Sequence, residues 1–269
     1  MARRTRQHLL ALLPALALAA AGCATSTQTT GSTDSGIPLV KSGTLTTCTH
    51  LPYEPFQFEK DGQTVGFDVD LVNLVAKDLG IKQEILDTPF EGIQSGQDLN
   101  NNKCDAAAAG MTITDTRKQN FDFSDPYFDA TQALIAKKGA GSKDLAALKG
   151  KKIGVQASTT GQEYAKKNEA AAGYTIIEFE DLALQLTAVQ TGAVDAAIND
   201  NGVLYDYVKK NTDLEVVTEF ATGEQYGIGV KKGNKALLDK INSSLKKAKD
   251  GGEYDKIYEK WFGKKPDKK

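Results

Sequence analysis

Metal ligands and redox side chains are scarce in this chain: its 269 residues include two histidines, three cysteines, two methionines and one tryptophan. Such a set cannot supply a multi-histidine metal centre or a dense disulfide scaffold. The apolar run Leu9 to Ala21 falls short of the ~20 residues that a bilayer-spanning helix needs. Neither sign of charge dominates: 33 Lys+Arg stand against 35 Asp+Glu, a net charge of −2, which excludes a generally basic nucleic-acid binder. What is present is the material of a globular protein, with 40% apolar and 25% charged residues. The length is generous for one small domain and comfortable for two, at roughly 100–200 residues each.

Arginine is nearly missing. Three of its occurrences, Arg3, Arg4 and Arg6, crowd the first residues, and beyond them only Arg117 stands among 29 lysines. A planar guanidinium grips a carboxylate through two parallel N–H donors, a geometry that lysine cannot reproduce. Arg117 is therefore a candidate carboxylate clamp, with chance placement on the surface as the alternative.

The positive start, the short apolar run and the closing Ala20-Ala21-Gly22-Cys23 make residues 1–22 a secretory signal peptide. The small residues before Cys23 resemble the lipobox of bacterial lipoproteins, whose cysteine receives a diacylglycerol and becomes the new N-terminus. Ordinary cleavage near Ala21 is the alternative. The segment from Thr25 to Gly36 (TSTQTTGSTDSG) holds almost nothing to bury, so residues 23–39 are expected to be a lipid-bearing flexible tether. The processed chain keeps 30 basic and 35 acidic residues, a net charge of −5. Its expected place is the outer face of the cytoplasmic membrane, or the periplasm.

Beyond the tether, strand and helix patterns alternate. Thr44 to Thr49, Gln83 to Asp87, Lys152 to Gln156, Thr175 to Phe179, Val194 to Ile198 and Leu214 to Val217 read as strands, and Asp105 to Gly110 as a weaker one. Leu71, Val72, Val75 and Leu79 share a helical face that stops at Gly80. Further helices start at Thr114, an N-cap, and at Ser158-Thr159-Thr160-Gly161. Leu237, Leu238, Ile241 and Leu245 form one C-terminal stripe, and Tyr254, Ile257, Tyr258 and Trp261 another. Two runs of alternating strands and helices predict two α/β lobes, each with a mostly parallel central sheet flanked by helices. Ligands of open α/β sheets bind beyond the carboxyl ends of strands. Thr49/His50, Gly110/Met111, Gln156/Ala157 and Asp200 all fall at such ends, so they predict one cleft between the lobes.

Several short motifs carry a family resemblance. Tyr53-Glu54-Pro55-Phe56, Gly66-Phe67-Asp68-Val69-Asp70-Leu71, Ala109 to Arg117 (AGMTITDTR), Phe121 to Tyr127 (FDFSDPY), Leu148 to Val155 (LKGKKIGV), Asp195-Ala196-Ala197 and Tyr254 to Phe262 (YDKIYEKWF) occur in order. Together, over about Gly43 to Gly263, they resemble the family 3 extracellular solute-binding proteins, the amino-acid receptors of ABC importers. The resemblance implies a hinged, two-lobed binding-protein fold of type II. Residues 40–131 and 229–269 would form lobe 1 and residues 135–226 lobe 2, with the hinge near 131–135 and 225–229.

It also implies site residues. Arg117 would clamp a ligand α-carboxylate, assisted by Thr112 and by the backbone N–H of Thr160 at a helix N-terminus, where anions are favoured. Asp200 would hold the α-ammonium, with the Gly110 carbonyl as a second acceptor. Tyr53 and Phe90 would wall the ligand. Each also fits a plainer role: Asp200 as a helix N-cap, Tyr53 and Phe90 as core, Thr112 as a strand residue. His50 stands where binders of basic amino acids commonly carry an acid, and Gln156 where a glutamine-binding relative has lysine. These two specificity candidates favour a polar ligand such as glutamine, with glutamate second. Cys48 lies in the first strand and Cys104 immediately precedes the third, its neighbour in the expected sheet order, so a disulfide between them is expected, with two buried thiols as the alternative.

The expected partners are a free amino acid, the permease subunits of an ABC transporter and the membrane that receives the lipid. The chain is expected to act as a monomer, without cofactor, metal or nucleic acid. A dehydratase on this fold would need a positioned acid or base, and His50 is the one histidine beyond the signal peptide. A sensor would add a membrane helix and a signalling module. Neither alternative is preferred over a binding protein.

Overall fold

The computed structural model describes residues 31–32 and 36–267. The expected signal peptide and Cys23 lie outside the described residues. Among these residues no helix is long and apolar enough to cross a membrane, and no group of three or more His, Cys, Asp or Glu side chains is placed to hold a metal.

Two five-stranded sheets organise the chain. In the first, Thr44–Thr49 lies between Lys82–Asp87 and Ala106–Ala107 and runs parallel to both. Its threonines suit a pleated strand, and all six of its residues are buried. Gly229–Lys231 joins antiparallel to Ala106–Ala107, and Phe121–Phe123 closes the sheet beyond it. In the second sheet Lys152–Gln156 lies parallel to Thr175–Phe179 and to Ala196–Asp200. Phe128–Lys137 and Leu214–Tyr226 continue it with antiparallel pairings. Each sheet thus has four strands pointing one way and a single reversed strand.

Helices cover the sheets with the faces that the periodicity announced. Phe67–Asp78 buries Phe67, Leu71, Val72 and Val75, Lys235–Asp250 buries Leu237, Ile241 and Leu245, and Glu253–Phe262 buries Tyr254 and Ile257. An amphipathic helix is held mainly by packing such a stripe rather than by propensity.

Residues 124–127 and 227–228 carry the chain between the sheets. Gln132 to Ile135, read as part of a crossing, pair within the second sheet with Asp200 to Ala197. The reason is that the strand Phe128–Lys137 is long and begins close to the crossing. Leu214–Tyr226 likewise extends nine residues past Val217. A register shift between Phe220 and Glu224 sets off its last three pairs, Glu224, Gln225 and Tyr226 against Ala130, Asp129 and Phe128. An aromatic cluster packs at this junction: the Phe56 ring meets Phe128 edge-on at 4.9 Å, and Phe262 lies 5.2 Å from both Phe67 and Phe128. Cys48 and Cys104 are disulfide-bonded, with Cα atoms 5.7 Å apart.

Candidate functional site

A small cavity, of about 20 Å³, lies between the two sheets. All nine binding and specificity candidates line it: His50, Tyr53, Phe90, Gly110, Thr112 and Arg117 from the first-sheet side, and Gln156, Thr160 and Asp200 from the second. Several arrive at strand ends or the starts of helices, while Tyr53 comes from a turn and Thr112 from an isolated bridge to Tyr226. Gln57, Ala109 and Thr159 complete the lining.

Arg117 is positioned by the short helix Asp115–Asn120. Thr114 caps that helix by accepting the Arg117 backbone N–H at 3.2 Å. The guanidinium is buried. It donates through Nη1 to the Thr112 carbonyl at 2.8 Å and, across the cavity, through Nη2 to the Ser158 carbonyl at 3.1 Å. It also lies 5.3 Å from the centre of the Phe90 ring, a cation–π contact. Burial pulls its pKa down, while the negative charges of Glu163, Asp200 and Glu224 oppose that pull. Arginine stays protonated under such conditions and offers five donors, of which these carbonyls engage two.

Asp200 occupies the N-cap position of the helix Asn201–Lys210 but makes no side-chain cap bond. Its carboxylate faces the cavity instead. Tyr53 Oη lies 2.8 Å from Asp200 Oδ2 and also 2.8 Å from Asn199 Oδ1. Tyr226 donates to Oδ2 and Gln132 to Oδ1. Burial and the charge of Glu224 push the Asp200 carboxyl up to about 6, while the three donors pull the other way. Arg117 is engaged by carbonyls and Asp200 by neutral donors, so neither charge is neutralised by the other.

Gly110 has φ +56, and a Cβ there would sit 2.7 Å from the Tyr53 ring. Only glycine satisfies both the left-handed backbone and the close ring. Its N–H donates to Asp68 Oδ2 at 2.7 Å, which fixes the peptide plane beside the cavity. Asp68 is buried, and its burial pushes it up to about 7 against the pull of that same N–H. Thr160 opens the helix Thr160–Ala172, which Thr159 caps by accepting the Gln162 N–H at 3.1 Å. A first-turn N–H has no partner within its own helix.

Gln57, Gln132 and Glu224 escaped the sequence reading. Glu224 Oε2 accepts from the hydroxyls of Thr112 and Thr160, each at 2.8 Å, and so bridges the two sides of the cavity. Gln132 Nε2 reaches both Asp200 and Glu224. Strand periodicity could have flagged both: Glu224 shares a face with Tyr226, and Gln132 pairs in register with Asp200. Gln57 carried no such signal, since it sits in a turn where Tyr53 and Gln57 exchange backbone hydrogen bonds.

Known proteins resemble this chain in architecture and in sequence. The family described as bacterial extracellular solute-binding proteins, family 3, matches residues 45–264. A probable histidine-binding protein of Neisseria gonorrhoeae is 36% identical over 268 residues, covering 96% of either chain. The ABC transporter glutamine-binding protein GlnH of Bacillus subtilis is 41% identical over 211 residues, 76% of this chain and 75% of that one. Among solved structures, an ancestral arginine-binding protein bound to arginine superposes with a TM-score of 0.78 at 46% identity, covering 82% of this chain and 99% of its own. On the strength of the shared fold and the match over nearly the whole described body, this chain belongs to family 3 of the bacterial extracellular solute-binding proteins.

Proposed function

We propose that this protein captures a free amino acid, with glutamine favoured, and delivers it to the permease of an ABC transporter. The observation that carries the reading is a cavity lined by a buried arginine and a buried aspartate that leave each other unpaired. A zwitterion supplies the missing charges at both ends. Arg117, Thr112 and the Thr160 N–H take the α-carboxylate; Asp200 and the Gly110 carbonyl take the α-ammonium; Tyr53 and Phe90 form the walls. His50 and Gln156 face the ligand side chain. Residues 40–123 and 229–269 act as one lobe, 128–226 as the other, and the crossings 124–127 and 227–228 as the hinge. Neither lobe alone meets both ligand charges, so the ligand favours the closed form by differential contacts.

Similarity to proteins named for histidine, glutamine and arginine binding supports the amino-acid class. All of these are binding proteins, and no catalytic role is proposed. Before Cys23 the lipobox-like residues support a lipid anchor, which retention of a Cys23→Ala variant in the membrane fraction would contradict. A thermal-shift screen against the twenty amino acids, followed by calorimetry, tests the ligand class. Stabilisation by one or a few polar amino acids is expected, and silence from all twenty would remove the proposal.

The acid in the site sets a pH dependence. Asp200 titrates at about 6, and only its ionised form answers an ammonium. Affinity is therefore expected to fall about tenfold between pH 7 and pH 5, read by calorimetry, with Asp200→Asn flattening the profile. The stability of the ligand-free protein is expected to show the opposite sign. Asp68 and Asp200 both have folded-state values raised by burial. Their contribution to stability is whole below the ordinary carboxylate range, near pH 4, and is lost as pH rises through about 6 to 7.

A further inference from the structure

A chain of buried amides runs behind the wall of the cavity. Gln185, on the helix Leu182–Thr191, is fully buried and does not line the cavity. Its Nε2 donates to two backbone carbonyls, Gly154 at 2.9 Å and Ile198 at 2.8 Å. A carbonyl can only accept, so both amide hydrogens are committed and the two ends of this amide cannot be exchanged. Its Oε1 therefore faces the other way and accepts from Asn199 Nδ2 at 2.7 Å. A flip would set Gln185 Oε1 against two carbonyls, acceptor on acceptor, at the cost of buried groups left unmade.

Asn199 inherits its orientation from Gln185. It too is buried. With Nδ2 held by Gln185 and Gln156 Oε1, Asn199 Oδ1 takes the opposite side. There it accepts the Asp200 backbone N–H at 2.8 Å and lies 2.8 Å from Tyr53 Oη. The consequence falls on Tyr53. Its hydroxyl has one hydrogen and two acceptors at the same distance, Asn199 Oδ1 and Asp200 Oδ2. A charged oxygen makes the stronger bond, so Asp200 takes the hydrogen while its carboxylate lacks a cation. Asn199 Oδ1, already bonded to the Asp200 N–H, stands as the second acceptor.

We propose that Gln185 is a positioning residue for amino-acid capture: acting through Asn199, it keeps a second acceptor beside the Tyr53 hydroxyl, so that Tyr53 can release Asp200 to the ligand ammonium. When the ammonium arrives, the Tyr53 hydrogen turns from Asp200 Oδ2 to Asn199 Oδ1, and the carboxylate gains a lone pair for the ligand while Tyr53 loses no bond. With Asn199 reversed, Nδ2 would face Tyr53, and the hydroxyl hydrogen would have no acceptor but Asp200. The proposal rests on the amino-acid reading above and deepens it.

The test joins side-chain NMR of the ligand-free protein to calorimetric titration with glutamine, histidine and arginine. In the unaltered protein the Asn199 Nδ2 hydrogens are expected to show cross-peaks to the Gln185 and Gln156 side chains and none to the Tyr53 ring. The reverse pattern overturns the proposal without any substitution. Gln185→Glu keeps an acceptor towards Asn199 whether or not its buried carboxyl holds a proton, and its affinity is expected to stay within about threefold of the unaltered protein. Gln185→Met has a similar length but no such acceptor, and is expected to weaken binding at least ~tenfold. Both variants lose amide donors to Gly154 and Ile198, so both are expected to unfold more readily, and a merely structural role would lower their affinities alike. Equal affinities for the two variants, or Gln185→Met within about twofold of the unaltered protein, overturn the proposal. If Gln185→Met does not fold, a loss beyond about tenfold in Gln185→Glu overturns it in the same way. Failure of all three amino acids to bind the unaltered protein counts against the amino-acid reading instead, and the cross-peaks still decide the orientation of the amides.

Discussion

Replacing Arg117 by lysine is expected to weaken amino-acid binding at least tenfold, and replacing it by alanine to weaken it by roughly 10²–10³-fold. The two variants separate charge from geometry. Lysine keeps the charge but has neither the planar fork that meets two carboxylate oxygens at once nor the second arm that spans to Ser158. Alanine removes the charge, and truncating one partner of a buried charge pair costs about 2–5 kcal/mol, partly because the other charge is left stranded. Alanine also vacates the face of Phe90, so a wall of the cavity loses its support. Asp200→Asn is expected to fall in the same range as the lysine variant. The ammonium would lose its counter-charge while Tyr53 and Tyr226 keep a hydrogen-bonding oxygen. Calorimetry on each variant, with unfolding midpoints compared in parallel, decides the matter. Affinity within about twofold of the unaltered protein for Arg117→Lys would dismiss the carboxylate clamp, whatever the fate of the fold.

The second large effect is on stability. Gly66→Ala is expected to cost roughly 4 kcal/mol or more in urea unfolding, a large share of the 5–15 kcal/mol typical of a native protein. Gly66 has φ +146, a region that residues with a side chain scarcely enter. Its missing side chain is also filled space: a Cβ would lie 2.0 Å from the Phe56 carbonyl oxygen and 2.8 Å from Gln57 Cα. Backbone atoms cannot swing aside as a flexible side chain can. The approach is closed by hydrogen bonds from Phe67 N to Pro55 O and from Asp68 N to Phe56 O, each 3.0 Å. Anything that widens it moves the turn carrying Tyr53 and Gln57, so any folded fraction is expected to bind amino acids less well too. A loss below about 1 kcal/mol, with binding intact, would show that this turn yields readily and contributes little rigidity to the cleft.

Much of this is legible in the sequence itself. Thr44–Thr49, Lys152–Gln156 and Thr175–Phe179 follow from compact runs of β-branched and apolar residues between turn residues. Arg117 could be picked out by the rarity of its type alone. The family resemblance then gathered residues that no local pattern connects, such as Tyr53 and Asp200, 147 positions apart and hydrogen-bonded at 2.8 Å.

What stayed hidden has a common cause. The strand expected over Leu214 to Val217 runs on to Tyr226, past register shifts between Val216 and Thr218 and between Phe220 and Glu224 that interrupt its alternation. The sheet tolerates these since Phe128–Lys137 pairs on both sides of the break. Losing that extension meant losing Glu224. Gln57 is polar, in a turn and almost fully buried, a combination that only tertiary packing produces.

The order of strands in the first sheet also dictates an order of events. Gly229–Lys231 sits in its interior, between Ala106–Ala107 and Phe121–Phe123, partners more than 100 residues earlier in the chain. The second sheet is built wholly from residues 128–226, so a chain that emerges N-terminus first supplies it complete while the first still lacks an inner strand. Until the last portion of the polypeptide emerges, Ala106–Ala107 and Phe121–Phe123 present unpaired edges, the kind of surface that invites wrong neighbours. Maturation of the cleft therefore waits on the arrival of the C-terminal segment, and pairing at such sequence distance is a slow event.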